Sequence, residues 1–286
     1  MILTDTHLHS SFSSDSTSDM ESMVRQGIAL GMKTLCFTEH YDMDFPDIPS
    51  GLDFSLDFDA YYKEWARLKD LYGDRIELLH GIELGVQPHL GSQLNAFYEE
   101  YGSRYDFIIS SCHLVERLDP YHPEFFDKYG PVEGMRLYFE TTYENLQCFD
   151  HYQSVGHLDY ASRYIKDADW KFHYRDYKDI LDKILTYIID HGKALEINTS
   201  GLKAGLPWPN PHMEILQQYR SFGGRKITIG SDAHRPEHMA YGYDRLPEIL
   251  SQVGFDRYEL YRKQEPCQVM LWRQARSFFL FEDFKR

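Results

Sequence analysis

The stretch "YKDILDKILTYIIDHGKALEIN", Tyr177–Asn198, decides the fold class because a helix pattern is followed at once by a strand pattern. Its apolar residues recur at i, i+3, i+4, i+7, i+8 and i+11, which places them on one face of a helix. These residues are Tyr177, Ile180, Leu181, Ile184, Leu185 and Ile188. Gly192 ends the helix, and the run Ala194–Asn198 then predicts a strand.

Other short β-prone runs recur along the chain. Besides Ala194–Asn198 they are Ile2–Leu8, Thr34–Thr38, Ile76–His80, Asp106–Ser111, Gln153–His157 and Lys226–Gly230. The first helix is predicted by a capping box of Ser18 and Glu21 and by Gly31 at its end. Strands that alternate with helices predict an α/β fold with a parallel sheet, and seven such units favour a (β/α)7 barrel of the TIM type.

No linker or internal repeat divides the 286 residues, so the sequence predicts a single domain over residues 1–286. The segment Asp42–Leu56 is rich in acids, proline and glycine, and it predicts a long loop after the second strand. Residues 272–286 form an aromatic and charged C-terminal extension to which we assign no role.

Charge and composition exclude some partners. The chain has 30 basic and 45 acidic residues, a net charge of −15, which disfavours binding to nucleic acid. No apolar run approaches the length that spans a membrane, and no secretion signal is recognisable, so we expect no membrane association. Four scattered cysteines without a CxxC pair read as reduced thiols, and we expect the protein in the cytoplasm.

Nearly every predicted strand ends in a residue that can bind a metal or is followed by one. They are His7 and His9, Glu39 and His40, Glu83, His113, His157, and Asp232 with His234. In barrel enzymes the carboxyl ends of the strands meet at one mouth, so we expect these residues to converge there. A single histidine at a strand end is more often an ordinary hydrogen-bonded side chain than a ligand, but the shared position favours a metal site for the whole set.

The ligand set is imidazole and carboxylate without thiolate, which suits Zn, Mn or Fe. It exceeds what one ion needs, so we predict two or three divalent metal ions, with Glu83 as the bridging carboxylate. Asp15, in the loop "SSFSSD", either reaches back to a third ion or is a surface acid before the first helix. Glu196 and Asn198 on the sixth strand either orient ligands or simply line the barrel.

Seven motifs together resemble the PHP family, the polymerase-and-histidinol-phosphatase metal hydrolases. They are "THLHSSFSSD" (6–15), "FTEH" (37–40), "GIELG" (81–85), "SSCH" (110–113), "VGHLD" (155–159), "EINTSG" (196–201) and "GSDAH" (230–234). The histidinol-phosphate phosphatase branch is the most similar, because no polymerase modules accompany these motifs. The resemblance implies a distorted seven-stranded barrel with a trinuclear centre.

The family pattern also implies a ligand set for each ion. His7, His9, Glu83 and Asp232 would hold the first ion, Glu83, His113 and His157 the second, and Asp15, His40 and His234 the third. Many family members have a histidine where this chain has Asp15.

The implied activity is a phosphomonoesterase that hydrolyses L-histidinol phosphate in histidine biosynthesis, by attack of a hydroxide that bridges two metals. Arg163 is the first candidate to bind the phosphate, the alternative being a surface salt bridge, and Lys203 is the second. Asp232, His234 or a metal-bound water would give the leaving alkoxide its proton. We expect the loop acids Asp42, Asp44 and Asp47 to favour the cationic end of this substrate.

Other functions compete with this interpretation. A phosphotyrosine phosphatase or a nuclease of the same family is the nearest, although the dispersed basic residues argue against a DNA groove. Amidohydrolases also begin with HxH on a barrel strand, but they commonly place a bridging lysine where this chain has His113. The last alternative is a non-catalytic metal-binding protein.

Overall fold

Seven parallel strands form a nearly closed barrel in the computed structural model, which describes residues 2–47 and 51–271. The strands are β1 (Thr4–Leu8), β2 (Thr34–Tyr41), β3 (Glu77–Gly85), β4 (Phe107–Ser111), β5 (Ser154–Val155), β6 (Ala194–Asn198) and β7 (Ile227–Gly230). They are neighbours in sequence order. The ring closes where the amide of Asp232 donates to the carbonyl of His7 at 2.8 Å and the amide of His9 donates to that of Ala233 at 3.0 Å.

Helices surround the barrel. They are α1 (Met20–Ala29), α2 (Phe58–Tyr72), α3 (Gly91–Tyr101), α4 (Pro123–Cys148), α5 (Lys178–Asp190), α6 (Ser200–Lys203), α7 (Met213–Ser221) and α8 (Leu246–Val253). Helix α5 buries the predicted apolar stripe from Ile180 to Ile188. The predicted single-domain (β/α)7 barrel is confirmed, while the extension 272–286 lies outside the described residues. None of the helices seen in residues 2–47 and 51–271 is both long and apolar enough to cross a bilayer.

Several boundaries differ from the prediction. Strands β2 and β3 continue to Tyr41 and Gly85, so the ligand-type residues of these strands lie within the sheet rather than after it. The N-cap of α1 is Asp19, whose carboxylate accepts a hydrogen bond from the amide of Ser22 at 2.8 Å. The predicted cap, Ser18, instead donates to the carbonyl of His234.

The sequence analysis missed a hairpin of β8 (Arg257–Arg262) and β9 (Glu265–Met270). Its turn residues, Lys263 and Gln264, both have positive φ, and they lack the Asn-Gly signature that usually marks such a turn. Leu260 and Tyr261 of this hairpin pack among side chains near the amino-terminal ends of the barrel strands. The hairpin therefore covers the end of the barrel opposite the ligand-type residues.

A buried histidine on β3 makes stability depend on pH. The ring of His80 lies 4.5 Å from that of Tyr61, 5.0 Å from Trp65 and 4.7 Å from Tyr105, measured between centroids. Burial lowers the pKa of His80 to about 4. In the unfolded chain His80 is protonated below about pH 6.5, whereas in the folded protein it is protonated only below about pH 4. The free energy of unfolding therefore falls as the pH falls from about 6.5 to about 4.

We expect His80 to account for a loss of about 2 kcal/mol in the free energy of unfolding between pH 7.5 and 5.0. Replacing His80 by phenylalanine, which keeps an aromatic ring but cannot titrate, should remove that part of the slope in urea unfolding. The same replacement at the exposed His173 should leave the slope unchanged. Equal slopes for the unchanged protein and His80→Phe would contradict the prediction.

Candidate metal centre

All nine residues predicted as metal ligands meet at the carboxyl-terminal mouth of the barrel. They are His7, His9, Asp15, His40, Glu83, His113, His157, Asp232 and His234. Each comes from the end of a strand or from the loop after it. Most are buried, whereas the side chain of Asp15 is 31% exposed and that of His234 is 21% exposed.

Glu83 on β3 lies at the centre of this group. Its Oε2 atom is 3.1 Å from Nε2 of His7, 3.5 Å from Nε2 of His9 and 3.1 Å from Nδ1 of His40. The side chain is fully buried. One carboxylate oxygen thus faces three imidazole nitrogens.

The second oxygen of Glu83 faces the fourth and fifth strands. Its Oε1 atom lies 3.2 Å from Nε2 of His113 and 2.9 Å from Nε2 of His157, and it accepts a hydrogen bond from the hydroxyl of Ser111 at 2.5 Å. On its other side, His113 places Nδ1 2.7 Å from Oδ1 of Asp42. Asp42 lies against Gly85, where any side chain would overlap with its carboxylate.

A third group forms around Asp15. Its Oδ2 atom lies 3.0 Å from Nε2 of His234 and 3.6 Å from Nε2 of His40. The ring of His9 stacks on both of these histidines, with centroids 4.2 Å apart in each case. Of the two interpretations of Asp15, this geometry favours the one in which the acid reaches back to the cluster.

Asp232 connects the cluster to Arg163. Its backbone is in the left-handed region, with φ of +54°, a conformation that costs energy for a residue other than glycine and is common at functional sites. Oδ1 lies 3.5 Å from Nε2 of His9 and 4.0 Å from Nε2 of His7. Oδ2 lies 3.2 Å from Nη1 of Arg163.

Further carboxylates hold the histidines in place. Oε1 of Glu196 lies 2.6 Å from Nδ1 of His7, and its Oε2 accepts the backbone amide of His157 at 2.8 Å. Such contacts fix the ring orientation and tautomer of a ligand histidine. The sequence had singled out Glu196, but it gave no sign that Asp42 would play the same part for His113.

Glu39 precedes His40 on β2 but does not join the cluster. Neighbouring residues on a strand point to opposite faces, which separates the two side chains. Glu39 accepts hydrogen bonds from the amide of Ser10 and the hydroxyl of Ser13, and that hydroxyl lies 3.1 Å from Nδ1 of His9. Glu39 therefore helps to hold His9 in place through the hydroxyl of Ser13.

The cluster has the features of a site for cations. Several buried atoms have no hydrogen-bond partner among the described residues, namely Nε2 of His7, His9 and His234, Nδ1 of His40 and Oε2 of Glu83. Buried polar atoms normally have a hydrogen-bond partner. Several unpartnered nitrogen and oxygen atoms that point toward one another therefore indicate a binding site for an ion. Groups of three potential ligand atoms lie within 4.8 Å of one another, including His7–His9–Glu83 and Glu83–His113–His157. The donor set therefore fits divalent metal ions.

The charges of these groups are strongly coupled. Burial would raise the pKa of Glu83, but His7, His113 and His40 hold it well below its usual range. Burial and the neighbouring His234, His40 and His7 lower the pKa of His9. Burial opposes the charging of His7 and His113, but the carboxylates around them raise the pKa of both well above its usual value, so a metal ion would compete with a proton for these two imidazoles.

The cluster opens into a cavity of about 540 Å³ that also contains the predicted phosphate ligands Arg163 and Lys203. The guanidinium of Arg163 donates to Oδ1 of Asn210 at 2.6 Å and to Oδ1 of Asn198 at 3.0 Å, besides its contact with Asp232. Its side chain is 5% exposed, so it is not a surface salt bridge. Lys203 lines the same cavity, and burial lowers the pKa of its ammonium group.

The acids of the loop after β2 do not form one patch. Asp42 is buried against His113, and Asp44 pairs on the surface with His89 and Arg117. Asp47 is exposed and does not line the cavity. The prediction that this loop receives the cationic end of a substrate is therefore not supported for Asp44, whose carboxylate is paired on the surface, and it stays a prediction for Asp47.

Curated relatives cover nearly the whole chain. The chain is 32% identical over 252 residues to the histidinol-phosphatase of Lactococcus lactis, which spans 88% of this chain and 91% of the relative. It is 31% identical over 253 residues to a protein of Thermotoga maritima called probable histidinol-phosphatase, with 88% and 93% covered.

Solved structures agree with the fold. The crystal structure of histidinol phosphate phosphatase from Lactococcus lactis, complexed with Zn, L-histidinol and phosphate, matches with a TM-score of 0.82 and 30% identity, covering 92% of this chain and 98% of that one. A chain from Listeria monocytogenes matches with a TM-score of 0.73 at 20% identity and covers 85% and 99%, which shows the shared fold alone.

The family resemblance read from the motifs is confirmed by a family model. The PHP domain model matches residues 5–200, a span that contains seven of the nine candidate ligands and Arg163. Together with the Lactococcus lactis relative, this match settles the family: the chain belongs to the PHP domain family.

Proposed function

We propose that this protein is a metal-dependent histidinol-phosphatase, which hydrolyses L-histidinol phosphate to L-histidinol and phosphate. The observation that carries the proposal is the Glu83-centred cluster, which opens into the same cavity as Arg163. The zinc, L-histidinol and phosphate in the Lactococcus lactis structure support the same assignment. The reaction belongs to histidine biosynthesis, and the scattered cysteines suit the reducing cytoplasm.

We assign three sets of ligands. His7, His9, Glu83 and Asp232 hold one ion, Glu83, His113 and His157 a second, and Asp15, His40 and His234 a third. Two or three divalent ions, Zn, Mn or Fe, would lower the pKa of water and neutralise charge on the phosphate. The contacts around Glu83 support its role as the carboxylate shared between two sets.

Arg163 binds the phosphate in this proposal. Its planar guanidinium matches two phosphate oxygens, and Asn198 and Asn210 hold it in place. Asn210 is itself fixed by donating to the buried Asp159. Lys203, two residues after the motif "EINTSG", supplies a second positive charge.

The leaving alkoxide takes its proton from Asp232, His234 or a metal-bound water in this proposal. Burial would raise the pKa of Asp232, but His7 and Arg163 hold it well below its usual range, so its carboxylate is ionised and binds a cation more readily than a proton. Burial opposes the charging of His234, yet Asp15 raises the pKa, which makes this imidazole a proton donor to the leaving alkoxide. When the third set holds an ion, His234 would be one of its ligands, and a metal-bound water would supply the proton instead.

A substrate panel tests the proposal. We expect kcat/KM for histidinol phosphate to exceed that for a phosphotyrosine peptide or a phosphodiester by about 100-fold or more, since a substrate-specific pocket commonly discriminates by this much. The protein is loaded with Zn or Mn and assayed for phosphate release, with a chelated sample as the control. A preference for the phosphotyrosine peptide or the diester would replace this function with that of another PHP phosphoesterase.

A further inference from the structure

The same cavity has a second polar region, made of residues other than Arg163, Lys203 and the candidate ligands. It is formed by Asp119, Tyr121 and His122, which lie between β4 and α4, and by Tyr160 and Tyr164 from the 3₁₀ helix Tyr160–Tyr164. None of these five residues was given a role from the sequence alone. They line the same cavity as the candidate metal ligands, so a substrate bound there would contact them.

Tyr160 separates this region from the reaction centre. Its ring centroid lies 5.0 Å from that of His157 and 5.9 Å from that of His113, and Cζ of Arg163 lies 5.1 Å from the same ring. At the other end of the side chain, the hydroxyl donates to Oδ1 of Asp119 at 3.3 Å. The ring of Tyr160 therefore lies between Asp119 on one side and Arg163 with the candidate metal ligands on the other.

Asp119 is not in an ion pair with a lysine or arginine among the described residues, although the imidazoles of His113 and His122 act to lower its pKa. Besides Tyr160, its Oδ1 accepts the backbone amide of Tyr121 at 2.8 Å, and no described lysine or arginine forms an ion pair with its carboxylate. Burial raises the pKa of Asp119. A partly desolvated acid that faces a cavity is stabilised when a ligand brings a positive charge to it.

Aromatic rings complete the surroundings of this acid. The ring of Tyr164 lies 5.1 Å from that of Tyr160 and 5.2 Å from that of Tyr121. The faces of tyrosine rings attract cations, and they also stack on flat heterocycles. An acid beside three tyrosines therefore suits a nitrogen that carries a positive charge.

We propose that Asp119, with Tyr121, Tyr160 and Tyr164, binds a positively charged nitrogen of the alcohol part of the substrate while Arg163 holds its phosphate. The inference rests on the proposed phosphatase function and makes it more specific. The substrate class is then a phosphomonoester of a short alcohol with a cationic nitrogen, a chemistry that histidinol phosphate offers in its ammonium group and in its imidazole when that ring is protonated. A phosphomonoester of an uncharged alcohol places no positive charge beside Asp119 and is bound less tightly.

Substitution of Asp119 by asparagine tests this inference. The measured quantity is the ratio of kcat/KM for histidinol phosphate to kcat/KM for glycerol phosphate, whose alcohol is uncharged. We expect Asp119→Asn to lower this ratio about 10- to 100-fold, mainly through KM, because a hydrogen-bonded charge pair is lost. Asp119→Glu, which keeps a carboxylate, should restore part of the ratio. The control is Asp127→Asn, an exposed acid in α4 outside the cavity, which should leave the ratio unchanged.

Two further substrates identify the nitrogen. Ethanolamine phosphate has the ammonium without the imidazole, and imidazolylpropyl phosphate has the imidazole without the ammonium. A loss with Asp119→Asn on either of them, relative to glycerol phosphate, supports the inference and names the group. An unchanged ratio, or an equal loss on charged and neutral esters, overturns it.

If the proposed function itself were wrong, the substrate panel would give a different result from the one that overturns the cation site. The unchanged protein would then show no preference for histidinol phosphate over the phosphotyrosine peptide or the diester. A selective effect of Asp119→Asn on ethanolamine phosphate would still support a cation site in that case.

Discussion

Replacing Glu83 by glutamine is expected to lower kcat/KM for histidinol phosphate by about 1000-fold or more, because it removes the charge shared by two of the proposed metal sets. Both oxygens of Glu83 contact imidazoles, so no neighbouring group can take over its position. The amide would also direct N–H donors at histidines that must be free to bind a metal. We expect bound metal to fall together with activity.

The control for this variant is Glu144→Gln, an exposed glutamate in α4. Circular dichroism should show a folded barrel for both variants, since the helices and the hairpin do not depend on Glu83. Activity within tenfold of the unchanged protein, with the same metal content, would show that Glu83 does not bridge the ions.

Replacing Arg163 by methionine should lower kcat/KM for the same substrate by about 100- to 1000-fold, as expected when a charged donor to a reacting phosphate is removed. Arg163→Lys should recover only part of this loss, because a single ammonium group cannot donate to two oxygens in the way that a guanidinium does. The metal content of both variants should stay unchanged, because Arg163 is not a ligand.

An exposed arginine provides the comparison for Arg163. The side chain of Arg175 is 81% exposed, and Arg175→Met should keep full activity. If Arg163→Met retained activity within about fivefold, or if lysine restored it fully, the phosphate would be held by other groups.

The strand order and the position of the ligands were predictable from the sequence, because both follow from local patterns. The stripe from Tyr177 to Ile188 fixes the face of α5, and the position of His7, His113 and His157 after apolar runs places them at one mouth. A parallel barrel brings such positions together whatever the loops between them do.

Other parts of the site depend on loop conformation, which has no such periodicity. Asp42 and Asp44 are two residues apart, yet one supports His113 and the other pairs with Arg117 on the surface. The sequence could not distinguish Asp119 from a surface acid, because its place in the cavity depends on a contact with Tyr160, forty-one residues further along the chain. The hairpin β8–β9 was missed because its turn is made by Lys263 and Gln264 rather than by glycine.

We infer that the nine side chains of the cluster centred on Glu83 hold the ions on which the reaction depends. The most direct test is a titration of metal-stripped protein with Zn or Mn, in which bound metal and histidinol phosphate turnover are measured on the same samples. The account predicts that turnover is absent without metal and rises to its maximum as two or three equivalents bind. Full turnover in protein that holds less than about one equivalent would contradict it.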